Sequence, residues 1–142
     1  MRSWPDLVKS KRCWADMDMY RDIILDHYKH PRNFGTLSSA DAKASEYNAT
    51  CGDRISIEIQ CQMINAKCQI KDIRFSGEGC AISVASASML TEKVKGMKVE
   101  NVLKLATEDI LVMLGTELTP SRTKCAVLPL EVLQKAVVCL GL

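Results

Sequence analysis

The sequence predicts an α+β protein. Two observations carry that expectation: a strictly alternating stretch from Arg54 to Met63 that is followed by a second extended segment, and helical spacing of apolar residues on both sides of this block. Strands gathered in one part of a chain, with helices before and after, form a small sheet with helices packed against it. A chain of 142 residues is long enough to build one such domain around its own core.

Residues Met1 to Ala15 show no clear period and contain Pro5, so residues 1–16 are read as a poorly ordered N-terminal extension and 17–142 as one domain. Cys13 is treated as incidental. From Asp18, an N-cap candidate, the spacing of Tyr20, Ile23, Ile24, His27 and Tyr28 predicts an amphipathic helix stopped by Pro31. Its basic end, Lys29-His30-Pro31-Arg32, suits the negative end of a helix dipole. A solvated helix end and a docking surface both fit it.

Asp41 to Asn48 is expected to be a short edge strand. In the alternating stretch, Ile55, Ile57, Ile59, Cys61 and Met63 share one face. A turn near Asn65-Ala66 leads into a second strand, Lys67 to Phe75, whose apolar phase changes between Ile70 and Ile73, the mark of a bulge. Cys61 and Cys68 lie on apolar faces and are read as small core hydrophobes.

The segment Phe75-Ser76-Gly77-Glu78-Gly79-Cys80 turns a strand through two glycines into a helix that begins at Cys80 and runs to about Lys95. A thiol there sits where unpaired amides and the positive helix end favour an anion. A filler thiol in a plain turn is the alternative reading. The helix is rich in Ala and Ser, so neighbouring backbone can come close. Two shorter helices, Val99 to Leu105 and Asp109 to Leu114, are expected to end at Gly115. A loop, Leu118 to Lys124, then delivers Cys125 to the start of a last helix carried by Leu128, Val132, Leu133, Ala136 and Val137, with Pro129 in its first turn. There is no internal repeat or low-complexity segment.

The composition is 47% apolar and 25% charged, with a net charge of +2. No basic block suggests a nucleic-acid surface, no apolar run is long enough for a bilayer, and the first residues lack the apolar core of a secretory signal. The expectation is a cytoplasmic protein. Its seven cysteines are an odd number, and in a reducing compartment such a set reads as metal ligands or reactive thiols plus some core filler. Three of them, Cys51 in Thr50-Cys51-Gly52-Asp53, Cys80 and Cys125, stand where the chain changes direction. These can converge at one end of a sheet, and Asp53 can add a carboxylate to the same point.

At these residues the chain resembles a known family. Tyr20 to Gly35, Thr50-Cys51-Gly52-Asp53, Gly77-Glu78-Gly79-Cys80-Ala81-Ile82-Ser83 and Lys124-Cys125-Ala126-Val127-Leu128 are similar to motifs of the NifU N-terminal family, the IscU/SufU iron–sulfur cluster assembly scaffolds. The resemblance implies a SufE/NifU-like α+β fold with an antiparallel sheet of about three strands. It implies a shared site of Cys51, Asp53, Cys80 and Cys125, a cysteine desulfurase as sulfur donor, and iron–sulfur proteins as acceptors. The expected role is a platform that assembles a [2Fe-2S] cluster, not a turnover enzyme. Gly-Glu-Gly-Cys with its Ala-Ile-Ser sequel, and Lys124 in place of a histidine, resemble the SufU branch, whereas the short interval between Cys80 and Cys125 resembles IscU. The alternative is therefore a SufU-type zinc-dependent sulfurtransferase. The loop Leu118 to Arg122 only partly matches the segment by which IscU members engage an Hsp70-type chaperone, so that partner is not carried over. Homodimer formation is left open.

Thiolates suit both zinc and iron–sulfur clusters, and three Cys with one Asp complete either a tetrahedral zinc site or four ligands to a [2Fe-2S] cluster. Purely structural zinc is the least favoured reading, because an Asp ligand is unusual in closed structural sites. For sulfur acceptance two candidates stand. Cys125 has Lys124 and Arg122 beside it, and Cys51 has the reach of a glycine-containing loop. The SufU resemblance favours Cys51.

Overall fold

A computed structural model describes residues 14–49, 52–115 and 118–140, with side chains from Arg21 onward. The elements are α1 (Trp14–Lys29), β1 (Ala42–Asn48), β2 (Asp53–Ile64), β3 (Lys67–Glu78), α2 (Ala81–Val94), α3 (Val99–Leu103), α4 (Thr107–Leu114) and α5 (Pro120–Val138). The strands form one antiparallel sheet in the order β1-β2-β3. This is the α+β arrangement that the sequence predicts.

The alternation in β2 sets which face is covered. Ile55, Ile57 and Ile59 are fully buried, and their cross-strand partners Ala42, Ala44, Ile73 and Phe75 are buried on the same face. Burying each such large side chain contributes roughly 1.5–3 kcal/mol. Helix α5 covers β1 and β2, helix α2 covers β3, and α1 packs on α2 from the outside. Register shifts where the phase change predicts it: Gln60 pairs with Asp72 and Cys61 with Ile70, so Lys71 is the extra residue of a bulge. Past the bulge the hairpin outruns the helices. Cys61 and Cys68 are therefore half-buried and packed at the margin of the core, and Met63 is 64% exposed, so the far end of the alternating face is not core.

Helix α1 begins at Trp14, so Asp18 falls within the helix and is not its cap. After Pro31 the chain turns back onto the sheet: Phe75 N–H donates to the Asn33 carbonyl, Gly35 N–H donates to the Phe75 carbonyl, and the Phe34 and Phe75 rings meet edge to face at 5.3 Å. His27 Nδ1 lies 2.7 Å from Ser88 Oγ on α2. The basic helix end is thus a hinge onto the core as well as a solvated surface. The small residues of α2 do what their size allows, with every residue from Ser83 to Thr91 buried between α1, α5 and the sheet. No helix among the described residues is long and apolar enough to cross a membrane.

Candidate metal centre

Three elements meet at the same place. Asp53 is the first residue of β2, Cys80 is the residue that caps α2, and Cys125 lies in α5. One ligand atom from each, a carboxylate oxygen and two sulfurs, lie within 4.8 Å of one another. Asp53 and Cys125 are fully buried and Cys80 is half-buried, so the group is closed on the protein side and open at Cys80.

Local sequence explains each placement. Gly52, at φ 73°, reverses the chain between β1 and β2, and its N–H donates to the Asn48 carbonyl at 2.7 Å. That turn starts β2 with Asp53 pointing at the head of α2. Asp53 Oδ1 accepts the Cys80 N–H at 2.8 Å, and Oδ2 stands 3.9 Å from Cys80 Sγ. A carboxylate from another strand thereby satisfies an amide at the α2 N-terminus, where the helix dipole favours negative charge. Gly79 leaves room for this contact, because a Cβ there would lie 2.8 Å from Asp53 Oδ1 and 3.1 Å from Ser83 Oγ. Its role is close approach, not an unusual backbone angle.

Cys125 does not open its helix. The expected loop to Lys124 is helical from Pro120, with Thr119 as N-cap accepting the Arg122 N–H at 3.4 Å, so Cys125 sits beyond the first turn. The dipole effect fades within that first turn, and Cys125 does not repeat the placement of Cys80. Pro129 is inside α5, not in its first turn, and supplies no N–H to the carbonyl of Cys125, the residue one helical turn before it. Ser86 Oγ donates to the Ala126 carbonyl at 2.6 Å, pinning α5 to α2 directly beside Cys125. Lys124 and Arg122 are exposed. Cys51, the fourth expected site residue, lies outside the described residues.

The residues present fit a cation. A fully buried carboxylate beside two thiols needs positive charge or several donors to be stable. Among the described residues no ion pair reaches Asp53, and Arg54, the next residue, lies over the Tyr47 ring. Ser83 Oγ is buried with no hydrogen-bond partner and flanks the same carboxylate. Two sulfurs and one oxygen suit zinc or iron over magnesium or calcium. Sequence reasoning missed Ser83, since a serine in an Ala/Ser-rich helix carries no signal until the fold puts it beside Asp53.

Fold and site together define a small α+β protein that gathers thiols and a carboxylate for a soft or borderline metal. The family model for the NifU-like N terminal domain matches residues 19–140. The chain is 36% identical over 141 residues to the zinc-dependent sulfurtransferase SufU of Bacillus subtilis (strain 168), covering 87% of this chain and 92% of that one. It is 38% identical over 118 residues to the iron-sulfur cluster assembly scaffold protein IscU of Aquifex aeolicus (strain VF5), covering 83% of this chain and 73% of that one. A crystal structure of a hypothetical protein, 33% identical, superposes with a TM-score of 0.73 over 85% of this chain and 98% of the other. This chain belongs to the NifU N-terminal family, whose members include both IscU and SufU proteins.

Proposed function

We propose that the protein is an iron–sulfur cluster assembly scaffold that takes sulfur from a cysteine desulfurase, holds a [2Fe-2S] cluster as its cargo on Cys51, Asp53, Cys80 and Cys125, and passes it to acceptor proteins. The observation that supports this most directly is the meeting of Asp53, Cys80 and Cys125 within 4.8 Å at an edge that is open at Cys80. Thiolates bind iron strongly, whereas a carboxylate is a harder and weaker partner for a cluster, so the bond to Asp53 is the one that yields most readily when cargo leaves.

For sulfur delivery, the thiolate of Cys51 attacks the outer sulfur of the donor's persulfide. A new S–S bond forms on Cys51, the old one breaks, and the donor cysteine leaves as thiolate; the sulfur stays at the sulfane level, and its release as cluster sulfide takes two electrons from a separate electron-carrier protein. Full burial of Cys125 limits its access to a partner's persulfide and favours Cys51 as the first acceptor. Asp53 holds the Cys80 amide and so keeps the second thiol in place. Ser83 offers a hydroxyl proton to a sulfur or oxygen brought into the site.

A SufU-type sulfurtransferase is the second reading, favoured by the likeness to the B. subtilis protein and by Lys124, exposed, before Cys125. In that case zinc holds the same donors at rest and one cysteine is released to take sulfur. The deciding experiment is iron, zinc and acid-labile sulfide analysis of protein purified without oxygen from cells that also express the desulfurase. Equal iron and sulfide with a charge-transfer spectrum supports the scaffold. One zinc per chain and no sulfide, persisting after attempted reconstitution, supports the sulfurtransferase.

A further inference from the structure

A second group of sulfur atoms lies at the other end of the β2–β3 hairpin. In the antiparallel register Met63 faces Cys68 and Cys61 faces Ile70, so Cys61, Met63 and Cys68 are neighbours on one face. The Cys68 thiol donates to Met63 Sδ at 3.1 Å, and Cys61 is close enough to Cys68 for the two thiols to interact. Both thiols are half-buried, and Met63 is 64% exposed, so the trio is anchored in the sheet yet reachable from solvent. Asp41 stands beside it, its Oδ2 accepting the Cys61 N–H at 2.7 Å. At the rise of an extended strand, the trio is about 30 Å from Asp53, too far to belong to the site described above.

We propose that Cys61, Met63 and Cys68 form a Cu(I) site. Two thiolates and a thioether are soft donors, and Cu(I) is the ion that such a set selects. A neutral thioether as third donor argues against zinc, which takes thiolate, imidazole and carboxylate. Copper enters as Cu(I) and leaves as Cu(I). It displaces the protons of Cys61 and Cys68, forms two copper–thiolate bonds and one copper–thioether bond, and leaves a complex of net charge −1, with no electron transferred. Met63, exposed and with three rotatable bonds, opens the present sulfur–sulfur contact to the wider spacing that a shared metal needs.

The test is an oxygen-free titration of the full chain with Cu(I), using a chromophoric Cu(I) chelator as competitor, in parallel with two variants. The chain is expected to hold one more equivalent of copper against the chelator than Cys61→Ser/Cys68→Ser. Met63→Leu, on an exposed side chain outside the packed core, is expected to hold that equivalent at least tenfold less tightly, since loss of a direct donor costs no less than loss of an outer-shell partner. Circular dichroism of the double variant checks that it is folded, and Met63→Leu decides the matter if it is not. Equal copper retention by the chain and by Met63→Leu overturns the proposal, as does equal retention by a folded double variant.

Discussion

Replacing Gly79 with alanine tests whether the strand-to-helix junction is built around Asp53. The added methyl would lie 2.8 Å from Asp53 Oδ1, 3.1 Å from Ser83 Oγ and 3.2 Å from Ser83 Cβ, and both neighbouring residues are fully buried. Two responses are available. If the junction strains to hold all three residues, overpacking costs about 1–3 kcal/mol. If the carboxylate swings away, it gives up the Cys80 amide, a charge-assisted bond worth about 1.5–3 kcal/mol. The cheaper route sets the loss at about 2 kcal/mol, or a fall of about 6 °C in Tm for a chain of this size. Either route also displaces a ligand, so zinc affinity should drop at least tenfold. Urea denaturation of the metal-free protein and zinc competition against a chromophoric chelator read the two effects separately. Wild-type values in both would refute the claim that Gly79 is there to admit the Asp53 carboxylate.

Other parts of the structure are open to equally direct tests. Ala66 occupies the hairpin turn at φ 65°, a left-handed angle that costs an L-residue roughly 1–2 kcal/mol, so Ala66→Gly should raise the urea midpoint by the equivalent of about 1 kcal/mol. His27 is held below its ordinary value of 6.5, by burial first and by the Arg32 charge second. The unfolded chain therefore takes up a proton at His27 before the folded one does, and stability should decline as pH falls below about 6.5. His27→Gln should flatten that decline in pH-dependent thermal melts, and an unaltered slope would remove His27 as its source. Asp53→Cys should slow delivery of a cluster to an acceptor protein, followed by circular dichroism in the visible range, because a fourth thiolate releases iron less readily than a carboxylate. An unchanged transfer rate would show that Asp53 does not set the exit.

The sheet was legible where side-chain periodicity alone decides structure. Ile55, Ile57 and Ile59 define the buried face, and the slip in phase between Ile70 and Ile73 locates the bulge at Lys71. Periodicity names a face but not how far a helix covers it, which is why Met63 continues the pattern yet stands in solvent. The Gly-Glu-Gly-Cys run placed Cys80 correctly at a helix start. Cys125 is not at a helix start because Thr119-Pro120, a cap followed by a proline at the first helical position, begins α5 before it, which also puts Pro129 inside the helix. The roles of Gly79 and Ser83 depend on a strand and a helix distant in sequence meeting at Asp53, and no local pattern encodes that meeting.

Asp53, Cys80 and Cys125 meet in the structure, and we propose that Cys51 joins them in one metal-binding group. Its most direct test is metal content across single substitutions, measured by zinc competition and by iron and sulfide analysis after oxygen-free reconstitution. Cys51→Ser, Asp53→Ala, Cys80→Ser and Cys125→Ser should each lose at least tenfold in zinc affinity and fail to hold a stable cluster. Cys139→Ser, at an exposed thiol after the last helix, should behave as the parent chain. Undiminished metal binding by Cys80→Ser or Cys125→Ser, or a loss as large in Cys139→Ser, would rule out a metal centre at these residues.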